Sequence, residues 1–209
     1  MRKRFIPIRE YFLLNISSVI RFLTLSEIVW GGARGLLGPI FAIFIVDYIQ
    51  GGNAAVIGTA AAIFLITKSV FQMPAATIID RIRGEKDDFW IMFGASVLSA
   101  LVPLLYLIIN TPMELYLVEF VYGILFAITV PSYMAIFTRH IDHQKEGTEW
   151  GVYFTLTDLS SALTAAIGGA IAITVGFPQL IVAVVVVSVI GALFLLPIRP
   201  YMRMPSKHP

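Results

Sequence analysis

The chain has 209 residues, of which 58% are hydrophobic and 13% are charged. Soluble domains average about 45–50% apolar and about 25% charged residues, so this composition excludes an ordinary soluble domain and predicts an all-α integral membrane protein. The absence of cysteine excludes disulfide frameworks and cysteine-ligated metal sites. A formal charge of +2 is too small to indicate nucleic-acid binding.

Residues 1–22 form the first predicted unit, an amphipathic segment on the cytoplasmic face of the membrane. Its early basic residues precede apolar side chains at helical spacing, a pattern typical of interfacial helices. In the alternative reading, these residues form the beginning of the next helix. The apolar positions are Phe5, Ile8, Phe12, Ile16, Val19 and Leu23.

Residues 23–198 are predicted to form a domain of six transmembrane helices. About 20 apolar residues are needed to cross ~30 Å of hydrocarbon, and six segments meet that length. A cytoplasmic tail, residues 199–209, follows. The predicted spans, numbered 1 to 6, cover residues 23–49, 55–79, 89–110, 113–138, 149–175 and 178–198.

Basic residues are confined to one side of this topology. All but two of the 15 Lys and Arg residues lie in the N-terminal segment, in the loops after spans 2 and 4, or in the tail. The positive-inside rule makes that side cytoplasmic. We therefore predict a multi-pass protein of the cell membrane with its N- and C-termini in the cytoplasm.

Away from the ends of the spans, five charged residues lie within spans 1, 2, 4 and 5. A charge in the hydrocarbon costs at least ~2.5–3.5 kcal/mol on insertion scales, so it normally faces a bundle interior or a wet cavity. We expect these four spans to surround a polar solute or ion pathway, with the uncharged spans 3 and 6 against lipid. The predicted pathway residues are Glu27, Arg34, Lys68, Glu119 and Asp158.

The charges of span 1 raise the question of pairing. Glu27 and Arg34 are seven residues apart, about 20° around the helix and ~10.5 Å along it, so both face one cavity. This separation predicts that each meets a charge from another span, with Asp158 the first candidate for Arg34 or Lys68. In the alternative, buried ion pairs only fix helix packing.

Glycine and proline are placed at corresponding points of spans 1 and 4. In transporters built from inverted repeats, interrupted helices near the midplane form substrate sites, and we predict interruptions here. Close packing of small residues is the alternative. The residues are Gly35, Gly38 and Pro39 in span 1, and Gly123 and Pro131 in span 4.

The loop between spans 2 and 3 carries a recognisable motif. Residues 76–86 read ATIIDRIRGEK, which resembles the loop signature G-x-x-x-D-R-x-G-R-K of the major facilitator superfamily at its usual position. Asp80 and Arg81 match, whereas Ala76 replaces the leading glycine and Gly84 comes one position late. Together with the topology, the motif resembles the N-terminal six-helix half of such a transporter.

The resemblance implies a six-helix bundle built as a 3+3 inverted repeat. It also implies that Asp80, Arg81 and Gly84 belong to a cytoplasmic gate, in which Arg139 is a plausible partner of Asp80. The alternative is an ordinary basic loop. Where many members have an arginine ahead of a glycine on helix 4, this chain has Glu119, so the role of that arginine does not transfer.

The resemblance further implies transport of a small solute by alternating access. Because members normally have twelve spans, we expect a half-size transporter that works as a homodimer or with a complementary half; proton coupling through Glu119 is left open. Alternatives are a non-transporting membrane module, a truncated half of a larger transporter, or a different six-span carrier.

Enzymatic activity has no basis in the sequence. Phosphate-binding loops, nucleophile motifs and H-E-x-x-H are lacking, so neither an enzyme nor a cofactor is predicted. His140 and His143 lie near Asp142 at the end of span 4. We interpret these residues as solvated loop side chains and predict no metal site.

Overall fold

The computed structural model describes residues 16–81 and 84–202, and within these ranges all regular structure is helical. Six helical segments are long and apolar enough to cross a membrane, which confirms the predicted all-α architecture. The predicted boundaries hold to within a few residues. From here on, spans 1 to 6 denote Ser18–Tyr48, Ala54–Arg81, Glu85–Leu107, Pro112–His140, Glu146–Thr174 and Phe177–Tyr201.

Span 1 begins earlier than predicted. The Ser17 side chain accepts a hydrogen bond from the Ile20 amide at 3.2 Å and caps the helix. Val19 and Ile20 are buried against the bundle. Residues 18–22 therefore belong to span 1, while residues 1–15 of the predicted amphipathic segment lie outside the described residues and that segment stays a prediction.

Span 1 is interrupted once. An α-helix, Ser18–Leu37, is followed by a 3₁₀ turn, Gly38–Ile40, and a second α-helix, Phe41–Tyr48. Pro39 lacks an N–H and cannot continue the α-helical hydrogen bonding. The α-helix of span 1 is thus interrupted by a 3₁₀ turn at Gly38 and Pro39, where an interruption was predicted.

The packing of the six spans repeats itself. Span 1 packs on spans 5 and 6, and span 4 packs correspondingly on spans 2 and 3; spans 1 and 4 meet, as do spans 3 and 6. Exchanging spans 1–3 for spans 4–6 reproduces every one of these pairings. Spans 3 and 6 even end alike, in the 3₁₀ segments Val102–Leu107 and Leu196–Tyr201. This is the 3+3 repeat of the predicted fold.

Hydrogen bonds between connections define two ends of the bundle. At one end, Ser17 donates to the His140 carbonyl at 3.4 Å, joining the start of span 1 to the end of span 4. At the other, the Gln50 amide donates to the Asn110 carbonyl at 2.8 Å. We call the end that carries Ser17, His140 and the connection after span 2 the basic end.

Spans 2 and 5 are the least buried of the six. Span 2 packs mainly on span 4 and span 5 mainly on span 1, so they lie on the flanks. Spans 3 and 6 expose apolar residues such as Leu98 and Val186, but are as buried as spans 1 and 4. Spans 3 and 6 are therefore more buried within this six-helix unit than expected for helices that only face lipid, whereas spans 2 and 5 each leave one side uncovered.

Small residues set the distance between the flanking and central spans. A Cβ on Gly35 would overlap Thr164 of span 5, and a Cβ on Gly123 would lie 2.8 Å from the Phe64 carbonyl oxygen of span 2. The α-helix of span 4 runs without a break through Gly123 and Pro131. These glycines allow close packing, so the interruption predicted in span 4 is wrong.

The contact between spans 1 and 5 should depend on Gly168. A Cβ there would overlap the Leu36 carbonyl oxygen, whereas the neighbouring Gly169 has open space. We expect Gly168→Ala to destabilise the protein by roughly 1–3 kcal/mol through overpacking. Thermal unfolding of the purified protein in detergent would measure this.

The matched control is Gly169→Ala. It should leave the unfolding temperature unchanged or raise it, since alanine favours a helix over glycine by about 0.5–1 kcal/mol. Equal unfolding temperatures for the two variants would contradict the close contact at Gly168.

Candidate functional site

An ion pair within span 1 lies at the centre of the bundle. The Arg34 Nη2 donates to Glu27 Oε1, and the side chains are 37% and 14% exposed. The expectation that these residues were too far apart to pair directly is wrong. Two long side chains on the same helix face extend toward each other along the axis and close a separation of about two turns.

Aromatic rings hold the guanidinium of this pair. Arg34 Cζ lies 4.4 Å from the ring centroid of Trp30 and 5.3 Å from that of Phe126. The two rings stack on each other with centroids 5.2 Å apart, which links span 1 to span 4. Cation–π attraction adds to the ion pair and fixes the direction of the arginine.

Arg34 lines two cavities. The first, cavity A, has a volume of about 180 Å³ and lies toward the basic end, between spans 1, 3, 4, 5 and 6. Its polar lining comes mainly from the ion pair and from hydroxyl side chains. Cavity A includes Ser26, Glu27, Trp30, Arg34, Thr129 and Tyr133.

The second, cavity B, has a volume of about 360 Å³ and lies toward the opposite end. It brings together Arg34, Lys68 and Glu119, from spans 1, 2 and 4. The Tyr106 hydroxyl donates to Glu119 Oε1 at 2.6 Å, and both side chains are buried. Three of the five predicted pathway residues therefore share cavity B. A fourth, Glu27, does not line cavity B but is paired with Arg34, which does.

Lys68 differs from Arg34 in its partners. Its side chain is half-buried at the wall of cavity B. Within residues 16–81 and 84–202, no carboxylate forms a salt bridge with it. Lys68 thus brings to the cavity a positive charge that has no salt-bridge partner among the described residues.

Asp158 lies apart from these residues. It is exposed on the flank of span 5 and lines neither cavity. Arg34 pairs with Glu27, so the expectation that Asp158 would pair with Arg34 or Lys68 is wrong. The side chain lies on the surface that span 5 leaves uncovered.

The hydroxyls near Asp158 have a packing role. Ser160 Oγ donates to the Ile28 carbonyl of span 1 at 2.7 Å, and Thr164 Oγ1 donates to the Ser160 carbonyl at 2.8 Å. These bonds satisfy hydroxyl groups where spans 1 and 5 approach closely.

The sequence profile of the Major Facilitator Superfamily matches residues 23–208, which include all six spans. The chain belongs to the major facilitator superfamily. Membership indicates membrane transport and agrees with the repeated packing of spans 1–3 and 4–6. No curated protein matched the sequence.

Near the loop signature of the superfamily, the ion pair observed in this chain differs from the one expected from the sequence. Asp80 and Arg81 are exposed at the end of span 2, and Arg139 Nη1 instead donates to Asp88 Oδ2 at 2.5 Å. The expected pair between Asp80 and Arg139 is wrong. Asp88 lies in the first turn of span 3, where the helix dipole favours a carboxylate, and its side chain is fully buried.

Gly84 determines where span 3 starts in this superfamily member. Its φ of 150° suits glycine, and the helix begins at the next residue, Glu85. Glu85 Oε2 approaches His140 Nε2 at 3.7 Å, while His140 Nδ1 lies 3.0 Å from the Ile136 carbonyl. Side chains of spans 3 and 4 therefore meet repeatedly at the basic end.

Sequence reasoning missed several partners in this major facilitator chain. Tyr106 and Phe126 carry no local signal, because their roles arise only where spans 3, 1 and 4 converge. Asp88 had a signal: an acidic residue in the first turn of a helix near the basic end of span 4. Trp30 could be linked to Arg34 by its spacing of four residues on one helix.

The pair of Asp88 with Arg139 should stabilise the basic end. Asp88→Asn would leave a buried amide opposite a cation, and we expect a loss of roughly 1–3 kcal/mol, because Arg139 is partly hydrated. The neighbouring exposed Asp87 provides the control, Asp87→Asn. Thermal unfolding of both variants in detergent would test this, and an unchanged Asp88→Asn protein would contradict a structural role for the pair.

Proposed function

We propose that this chain moves a small solute across the bilayer by alternating access, as a half-size transporter that requires a second six-helix unit. The proposal rests on Arg34 lying between cavity A at the basic end and cavity B at the opposite end. A solute passing from one cavity to the other must pass this residue. Movement of the Arg34 and Glu27 side chains would connect the cavities alternately.

The proposed pathway uses the charges that face the cavities. Glu27 and Arg34 form the central barrier of the proposed pathway. Lys68 and Glu119 bind the solute in cavity B. Asp158 belongs to the uncovered flank of span 5, where it would face the second unit. Glu119, held by Tyr106, is the candidate for proton coupling.

The second unit is proposed because this chain supplies only part of a wall. Spans 2 and 5 are the least buried and carry exposed apolar residues such as Ile66 and Leu163. A second copy related by a twofold axis along the membrane normal would place span 2 of each chain against span 5 of the other. A complementary six-helix unit would cover the same flanks.

The basic end is the proposed cytoplasmic gate, with both chain ends in the cytoplasm. The Arg139–Asp88 pair joins spans 3 and 4 there. Asp80 and Arg81, exposed after span 2, would contact the second unit when the gate closes. Gly84, with its φ of 150°, directly precedes the first residue of span 3 at this proposed gate.

Alternating access can be tested with thiol labelling, because the chain has no cysteine of its own. Single variants Thr129→Cys and Lys68→Cys place a thiol in cavity A and cavity B. We expect a charged, membrane-impermeant methanethiosulfonate reagent to modify each position from both sides in vesicles of opposite orientation. Peptide mass spectrometry would measure the modified fraction.

The control is Leu98→Cys, an exposed apolar position on span 3 that should lie in lipid and resist the charged reagent. If Thr129→Cys and Lys68→Cys react each from one side only, the cavities are separate vestibules. That outcome would favour a non-transporting membrane module.

The second unit can be tested by crosslinking in bilayers. The double variant Ile66→Cys/Leu163→Cys should give disulfide-linked dimers on oxidation, seen as doubled mass on denaturing gels, because both positions lie near the middle of uncovered spans. Leu98→Cys/Val186→Cys, on spans 3 and 6, is the matched control and should crosslink less. A protein that stays monomeric in bilayers and still transports would contradict the dimer.

A further inference from the structure

We infer that cavity B binds a small organic anion, a carboxylate with an aromatic or similarly planar apolar body, and that Lys68 receives its charge. The inference rests on the proposed transport function and names the class of solute. It follows from three properties of cavity B: its balance of charge, its aromatic wall and its volume.

The balance of charge identifies the anion-binding group. Arg34 already has a carboxylate partner in Glu27, and Glu119 Oε1 already accepts from Tyr106. Lys68 has no salt-bridge partner among the described residues. A cation at membrane depth normally has a counter-charge, and a carboxylate in the cavity would supply it.

Arg34 adds a second hydrogen-bond donor group to the wall of cavity B. Arg34 Nε is buried and has no hydrogen-bond partner among the described residues. An unsatisfied buried donor is costly, but this one has almost no accessible surface, so a ligand oxygen in cavity B would reach it only after the Arg34 side chain moves. The carboxylate beside these two basic side chains, Glu119, is only slightly exposed, so the wall of cavity B favours an anionic over a cationic solute.

The wall of cavity B selects the body of the solute. Phe41, Phe64, Tyr106, Tyr122 and Phe126 line it, and their rings pack edge-to-face or tilted, as at Phe64–Phe126 with centroids 5.4 Å apart. Aromatic surfaces of this kind bind planar rings well. A polyhydroxylated solute would leave hydroxyl groups unpaired against them, at an energetic cost.

The volume limits the size. About 360 Å³ lies at the small end of the usual range of ligand pockets, roughly 300–1,000 Å³. A single ring with a carboxylate fits this space. Zwitterions are disfavoured, because Glu119, the carboxylate of this wall, is only 5% exposed and offers an ammonium group little contact.

The test measures binding of four ring compounds to the purified 209-residue chain in lipid nanodiscs by isothermal titration calorimetry. Benzoate carries the carboxylate, benzamide is its neutral counterpart, benzylamine is a cation and phenylalanine is a zwitterion. We expect benzoate to bind at least ~10-fold more tightly than each of the other three, as expected for a paired, partly buried charge.

Variants assign the charge to Lys68. Lys68→Gln should weaken benzoate binding about tenfold and leave benzamide unchanged, whereas Lys68→Arg should retain the preference. Lys86→Gln removes the same charge from an exposed site outside the cavity and should bind like the unmodified chain. If Lys68→Gln does not fold, the benzoate-to-benzamide ratio and the Lys68→Arg variant still test the inference.

Equal binding of benzoate and benzamide, or benzoate binding unaffected in folded Lys68→Gln, would overturn the inference. Uptake assays in proteoliposomes separate it from the proposed function. Benzoate binding that depends on Lys68 without uptake would uphold the anion site and contradict transport by this chain. Uptake of a different solute without benzoate binding would uphold transport and overturn the anion site.

Discussion

The ion pair between Glu27 and Arg34 is the interaction on which both cavities depend. Removing charges from water is costly, and the cost is offset only where geometry and further contacts are good. Here Trp30 and Phe126, whose rings stack on each other, supply those contacts to the guanidinium. The Arg34 side chain of this pair lines both cavity A and cavity B, and the two aromatic rings contact it there.

The repeated packing places this ion pair where both repeats contribute. Spans 1 and 4 form the centre, while spans 2 and 5 attach through glycine and hydroxyl contacts that allow close approach. At the basic end, the Arg139–Asp88 pair fastens span 4 to span 3. Helix packing and this ion pair thus connect the spans within the unit, whereas the outer sides of spans 2 and 5 remain uncovered.

Much of the fold could be predicted from the sequence, because the length of apolar segments and the placement of basic loops are direct consequences of the bilayer. The arrangement of the candidate site was harder to predict from the sequence. Arg34, Lys68 and Glu119 do share a cavity, since charged residues of adjoining spans have few other places to face. Asp158 does not, because periodicity cannot tell which face of a helix meets its neighbour. That Arg139 pairs with Asp88 rather than with the loop aspartate depends on how spans 3 and 4 pack at the basic end, which no residue pattern specifies.

Carrying both members of the central pair on a single span bears on biosynthesis. As span 1 leaves the insertion machinery, its arginine already has a counter-ion two turns away, so the helix can partition into lipid as a nearly neutral segment before any later helix is made. Lys68 has no such companion on its own helix. Span 2 is therefore the segment whose membrane integration should depend most on helices synthesised after it.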